Sequence, residues 1–282
     1  MNGPNLKCPG FPVTAMLPLC MIAVLLIAGV AVGALTGITG SSGVVVVVSV
    51  LSIIGLSFQD SVGSSLLVDV ITTSVVMYVY LKHGNASVKN GISMGLGALL
   101  GAQMGTHLAI SLPQGPLELG FVVFVLALAV EMFRRGRDPK PLARGSAINL
   151  GKWTVPVAFA ISIPVGILTG TLGASGGAIF TGIAALLFPI GAQGIVGTAT
   201  LAMVLSALSG VAGYAYLGRV DYAYAAVIGL TSLVSGYFFS RFANEVSEEK
   251  IYLSMGIVFV AVGGMEMLKI TGLVRRTCTA LR

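Results

Sequence analysis

Gly33-Ala-Leu-Thr-Gly-Ile-Thr-Gly-Ser-Ser-Gly43 is the stretch on which the architecture depends, because a second copy, Gly166-Ile-Leu-Thr-Gly-Thr-Leu-Gly-Ala-Ser-Gly176, follows later in the chain. Seven of the eleven aligned positions are identical. Each copy lies between a long apolar segment and a short one. Because glycine readily adopts the positive φ angles of tight turns, each copy predicts a break between two helices.

The composition around these two motifs is that of a membrane protein. Of the 282 residues, 56% are hydrophobic and only 9% are charged, whereas soluble domains carry about 25% charged residues. This composition excludes a soluble globular protein. The net charge of +6 comes from basic residues in short connectors beside apolar segments, where they orient a protein in its bilayer. We therefore expect no nucleic-acid partner.

Ten apolar segments follow one another as two sets of five, which predicts an all-α polytopic integral membrane protein. The second segment of each set has only about 15 residues, fewer than the roughly 20 that cross a hydrocarbon core, so we predict that it is broken or re-entrant. The segments cover residues 16–38, 44–58, 61–81, 91–112 and 117–133, then 153–172, 177–190, 195–217, 222–243 and 251–268.

The two sets are predicted to be homologous repeats, offset by about 135 residues, and duplicated halves around a central site are a common plan for secondary transporters. The predicted organisation is an N-terminal tail over 1–15, membrane repeat 1 over 16–133, a basic linker over 134–152, membrane repeat 2 over 153–270 and a C-terminal tail over 271–282.

The basic linker decides the predicted orientation. It carries six basic residues against Asp138 alone, so the positive-inside rule predicts that it is cytoplasmic, in the inner (cytoplasmic) membrane of the cell. With four net crossings per half, every basic residue except Arg241 and Lys250 falls on that side, and so does the C-terminus. Five crossings per half divide the 16 basic residues 10 to 6. We favour four net crossings and parallel repeats, and the alternative is five plus five helices in inverted repeats.

The two breaks form the predicted substrate site. Amides at the start of each short helix, with nearby side-chain hydroxyls and amides, can replace the water shell of a small anion. Close helix packing is the alternative reading of the glycines, and bonding to the backbone is that of the hydroxyls. The predicted binding residues are Gly40, Ser41, Ser42, Gly43, Gln59 and Ser64 in the first half, and Gly173, Ser175, Gly176, Gly177, Gln193 and Thr198 in the second.

Asp69 is the one carboxylate well inside an apolar segment. An intramembrane acid is costly enough to indicate a function, and we consider Asp69 a candidate carrier of a coupling proton. Its counterpart in the second half is Met203, and a hydrogen bond to a neighbouring helix is the structural alternative. Neither His83 nor His107 has a further ligand at metal-binding spacing, so we expect no metal and no cofactor.

The paired motifs resemble the TauE/SafE family of sulfite-exporter-like transporters. Besides the two glycine motifs, the resemblance rests on Val62-Gly-Ser-Ser-Leu66 with its partner Val196-Gly-Thr-Ala-Thr200, and on Tyr80-Leu-Lys-His-Gly-Asn85. The family's usual triple glycine is replaced here by Ser41-Ser-Gly43 and Ser175-Gly-Gly177. The resemblance implies a transporter, and not an enzyme, that moves sulfite or another sulfur-containing or organosulfonate anion across the cytoplasmic membrane.

Two other functions share part of this pattern. A passive anion channel would need almost the same features. An intramembrane serine protease is the other alternative, because Gly40-Ser-Ser-Gly43 and Gly173-Ala-Ser-Gly176 are similar to the nucleophile motif of rhomboid proteases. Serine catalysis needs a base within hydrogen-bond reach, and the two histidines, His83 and His107, both precede the second motif. We therefore favour a transporter whose partners are a small anion and the lipid bilayer.

Overall fold

The structure is a computed structural model, and it describes residues 19–40, 42–137, 151–173, 176–242, 257 and 259–267. These residues form a bundle of helices, which confirms the predicted all-α class. The helices are α1 (Leu19–Thr39), α2 (Val44–Ile54), α3 (Phe58–Lys82), α4 (Val88–Ser111), α5 (Gln114–Arg137), α6 (Thr154–Leu172), α7 (Gly177–Leu187), α8 (Ala192–Tyr216) and α9 (Tyr222–Phe242), and residues 259–267 are again helical. Both predicted tails and residues 138–150 of the linker lie outside the described residues.

Six of the described helices are long and apolar enough to cross a membrane, and they correspond to α1, α3, α5, α6, α8 and α9. The chain is therefore a multi-pass membrane protein. The two short segments form α2 and α7, which have 11 residues each. At 1.5 Å per residue such a helix is about 16 Å long, roughly half the thickness of the hydrocarbon core.

The first helix of the second half packs along the fourth helix of the first half. Gly97 and Gly105 on α4 face the carbonyl oxygens of Phe159 and Ile167 on α6, respectively. A Cβ atom at either glycine would overlap the carbonyl that it faces, so this close approach requires glycine. Because both residue numbers rise together, α4 and α6 run parallel.

The first helix of the first half packs in the same way on the fourth helix of the second half. A Cβ at Gly29 on α1 would lie 2.7 Å from Cβ of Thr231 on α9, and one at Gly37 would lie 2.9 Å from the backbone nitrogen of Ser240. Helices α1 and α9 are thus also parallel. Close approaches of this kind make α8 parallel to α4, and α9 parallel to α3.

The third helices of the two halves run antiparallel. Gly63, near the start of α3, faces Tyr214, near the end of α8, and Gly210 on α8 faces Leu66 on α3. The duplication itself stays a prediction, but the helices that it aligns run in opposite directions. This arrangement corrects the parallel orientation that we favoured and matches the inverted alternative. Charges on connectors carry only a statistical bias, whereas backbone contacts determine direction.

Helices α1 and α3 run in the same direction, so α2 returns the chain to the end where α3 begins. The prediction that the short segment adds no pass is corrected accordingly. We call the end of the bundle that holds Phe58 and Tyr216 the lower end, and the end that holds Lys82 and Ala192 the upper end. The buried apolar residues form two clusters, one containing α2 and the other containing α7.

Candidate functional site

The first break is a turn held by Thr36 near the end of α1. Gly40 has a φ of +61°, and its N–H donates to the Thr36 carbonyl at 3.0 Å. The N–H of Gly43 donates to the Thr36 hydroxyl at 3.3 Å. Thr36 is fully buried, so one threonine holds the start of α2 against α1 inside the bundle.

The second break has the same geometry. Gly173 has a φ of +62°, its N–H donates to the Thr169 carbonyl at 3.0 Å, and the N–H of Gly176 donates to the Thr169 hydroxyl at 3.2 Å. Gly177 is the first residue of α7 and is buried. Ser41 and Ser175, which we predicted to bind substrate, lie outside the described residues.

The structure joins Asp69 to the first break. The Ser42 hydroxyl donates to Oδ1 of Asp69 at 2.9 Å and accepts a hydrogen bond from the N–H of Val44 at 3.1 Å. Asp69 is fully buried midway along α3, so α2 begins about halfway through the bundle beside a carboxylate. The sequence analysis treated Ser42 and Asp69 as separate features. The two breaks therefore differ in charge, since Met203 replaces the carboxylate in the second half.

Ser64 and Thr198 each bind the backbone of a connector from the other half. The Ser64 hydroxyl accepts from the N–H of Asp221 at 2.8 Å, and the Thr198 hydroxyl accepts from the N–H of Ser87 at 2.9 Å. Ser64 lies in the lower part of the bundle and Thr198 in the upper part, because α3 and α8 are antiparallel. The structure does not bring these two hydroxyls together.

The two predicted glutamines lie at opposite ends of the bundle. At the lower end Gln59 donates to the carbonyl of Ala109 at 3.5 Å and accepts from Gln114 at 3.2 Å. At the upper end Gln193 accepts a hydrogen bond from the side chain of Asn85 at 2.6 Å. The structure therefore does not place both glutamines in one cage with the breaks.

Two buried tyrosines, neither of which was predicted to be a site residue, hold the helices before the breaks. The hydroxyl of Tyr80 donates to the carbonyl of Gly37 at 3.3 Å, and the hydroxyl of Tyr214 donates to the carbonyl of Gly170 at 2.9 Å. Both tyrosines occupy equivalent positions in the two halves, as do both glycines. Aligning the halves beyond the glycine motifs would have paired them.

The contacts of Ser42 bear on the protease alternative. Within the described part of the chain, its hydroxyl bonds to a carboxylate and to a backbone amide, and neither histidine is one of its partners. His83 lies at the upper end, with its Nδ1 2.7 Å from the carbonyl of Val79. Ser42 is thus not in contact with a histidine base of the kind that the protease alternative considered, and its hydroxyl donates to the Asp69 carboxylate instead.

Comparison with known proteins identifies a family of membrane transporters. The family described as Sulfite exporter TauE/SafE matches residues 25–265. The chain is similar to the "Probable membrane transporter protein YunE" of Bacillus subtilis (strain 168), at 24% identity over 216 residues, which cover 73% of this chain and 79% of the relative. It is also similar to the "Probable membrane transporter protein YdhB" of the same organism, at 26% identity over 210 residues, 74% of this chain and 84% of the relative. No solved structure matches the chain. The chain therefore belongs to the TauE/SafE family of membrane transporters.

Proposed function

We propose that this chain is a secondary transporter that moves a small anion across the cytoplasmic membrane through a site at the two helix breaks. The proposed substrate is sulfite or another sulfur-containing or organosulfonate anion, in keeping with the family's description. The observation that carries the proposal is the matched pair of threonine–glycine hydrogen bonds, which hold the first residues of α2 and α7 inside the bundle.

A helix that begins inside the bundle offers an anion the positive end of its dipole and those first-turn N–H groups that the threonine and serine hydroxyls do not already engage. These interactions are stronger in surroundings of low dielectric than in water. At the first break the Ser42 hydroxyl is already engaged by Asp69 and by the N–H of Val44. We therefore place the anion closer to the second break, where Gly176 precedes α7, Gly177 is its first residue and Met203 replaces the carboxylate.

The inverted arrangement suits alternating access. The first helix of each half packs along the fourth helix of the other half, so the halves interlock and their relative movement can expose the site to each side in turn. An anion that leaves a negatively charged cytoplasm gains about 2.3 kcal/mol per charge per 100 mV, so export needs no coupling ion. Uptake does need one, and we propose that Asp69 carries the coupled proton.

Substitution of Gly173 tests the site. A Cβ at Gly173 would lie 3.0 Å from Cγ1 of Val62. The φ of +62° would strain the backbone of a substituted residue as well. We expect Gly173→Leu to abolish sulfite flux in proteoliposomes. Gly218→Leu is the matched control, since Gly218 has a φ of +66° and nothing lies within 4 Å of its Cβ position. Unchanged flux in a folded Gly173→Leu protein would show that the transport site does not lie at the breaks. Saturation and acceleration of flux by sulfite on the far side separate a transporter from a channel.

The coupling role of Asp69 has its own test. Asp69→Asn keeps an oxygen that accepts the hydrogen bond from Ser42 but cannot release a proton. We expect sulfite uptake driven by a pH gradient to lose its dependence on that gradient in this variant. Uptake that still follows the pH gradient would eliminate the proton role and leave Asp69 as a structural partner of Ser42.

A further inference from the structure

A cavity of about 240 Å³ opens at the upper end of the bundle, outside the two breaks. The end of α3, the connector that follows it, the start of α8 and the end of α9 form its walls, so both halves contribute. Its lining residues are Val79, Tyr80, His83, Asn85, Gln193, Ser240 and Arg241.

The chemistry of this lining suits an anion. Arg241 carries a permanent charge, and its guanidinium stacks 4.5 Å above the centre of the Tyr237 ring, which restricts its orientation. The Nδ1 of His83 lies 2.7 Å from the carbonyl of Val79, so Nδ1 carries the proton of the neutral ring, and Nε2 donates to an anion only in the doubly protonated imidazolium. None of the described lining residues is acidic. A guanidinium and side-chain amides bind oxyanions by donating hydrogen bonds to them.

The cavity also lies near the first break. Tyr80, in its wall, donates to the carbonyl of Gly37 three residues before the left-handed turn at Gly40. Gln193, also in the wall, lies one helical turn before Val196, the residue that faces Gly40. Two residues of the cavity wall are therefore close in space or in sequence to residues that contact the first break.

Asn85 and Gln193 form the boundary between this cavity and a second one of about 490 Å³ at the same end, since both residues line both cavities. Their side chains share a hydrogen bond of 2.6 Å that links the first half to the second. The polar wall of the cavity is thus built from an inter-half contact, and relative movement of the halves changes it.

We propose that this upper cavity binds a small oxyanion through Arg241 and collects it for the transport site at the breaks. The identity of the ligand rests on the proposed function, because the anion collected is the one transported. The phosphate of an anionic lipid headgroup has similar chemistry, and we commit to the free anion.

The test separates this cavity from the site at the breaks. Isothermal titration of sulfite into purified Gly173→Leu protein, in uncharged detergent, should still show binding. Adding Arg241→Gln should weaken that binding at least tenfold. Adding Lys89→Gln should weaken it less than twofold, because Lys89 is an exposed lysine at the same end that does not line the cavity. Both substitutions alter exposed side chains, and size-exclusion profiles verify folding.

Flux gives the second readout. Arg241→Gln alone should raise the KM for sulfite in proteoliposomes of neutral lipid at least fivefold, with kcat within twofold. The proposed anion site in the cavity is wrong if no sulfite binding is measured, or if Arg241→Gln and Lys89→Gln weaken that binding equally. Binding of phosphatidylglycerol but not of sulfite through Arg241 would overturn the free-anion ligand. If the wild-type chain moves no anion but binds sulfite through Arg241, the proposed transport is wrong and the proposed anion site in the cavity is supported.

Discussion

Replacement of Gly40 by alanine tests the geometry of the first break. Gly40 has a φ of +61°, and a Cβ there would lie 2.6 Å from Cγ1 of Val196 on α8. Gly84 supplies the control, since its φ is +71° and nothing lies within 4 Å of its Cβ position. The two positions therefore share the backbone strain and differ only in the contact with a neighbouring helix.

The expected magnitudes follow from these two terms. A left-handed conformation costs an L-residue about 1–2 kcal/mol, and this is the whole expected loss in unfolding free energy for Gly84→Ala. Overpacking of a tight contact costs about 1–3 kcal/mol more, so Gly40→Ala should lose about 2–5 kcal/mol. Val196→Ala removes the Cγ1 atom and should recover the overpacking part in the Gly40→Ala background.

Reversible unfolding in mixed micelles of detergent and SDS measures these free energies. A double-mutant cycle between Gly40→Ala and Val196→Ala isolates their interaction energy, which we expect to be about 1–3 kcal/mol. The steric contact between position 40 and Val196 is contradicted if Gly40→Ala is no less stable than Gly84→Ala. It is also contradicted if the interaction energy with Val196 is zero within error.

Two further predictions concern the hydrogen bonds that hold the breaks. Thr169→Val removes the acceptor of the buried Gly176 N–H and should lower the unfolding free energy by about 1–3 kcal/mol. Thr169→Ser keeps the hydroxyl and should lose much less of that free energy. Equal losses in both variants would contradict the role of the hydroxyl. Tyr214→Phe should lower the unfolding free energy by about 1 kcal/mol. The loss should exceed that of Tyr80→Phe, because the hydrogen bond of Tyr214 is 2.9 Å long and that of Tyr80 is 3.3 Å long. The same unfolding assay compares the two variants.

Much of the helix pattern could be predicted from the sequence. The short segments predicted over 44–58 and 177–190 are the helices Val44–Ile54 and Gly177–Leu187. The segment predicted over 222–243 is the helix Tyr222–Phe242. This agreement has a physical reason, because a backbone inside a bilayer must satisfy its own hydrogen bonds, so a long apolar run becomes a helix.

The candidate site was predicted only in part. The glycine motifs indicated where the chain turns, because a φ near +60° is a property of single residues. The partner of Asp69 was not predictable in this way, since Ser42 reaches it across 27 positions of sequence. The distribution of Gln59 and Gln193 between opposite ends also depended on helix direction, which the charge count did not settle correctly.

The membrane class, the approximate extent of the described helices and the positions of the two breaks could be predicted from the sequence alone. Which helices touch, in which direction they run and which polar groups meet is visible only in the folded structure. The reason is that helices in lipid are apolar on every side. On α1, exposed Ile27 and fully buried Val32 are both hydrophobic, so hydrophobicity does not mark the packed face. Direction and partners come from the places where glycine lets two backbones touch.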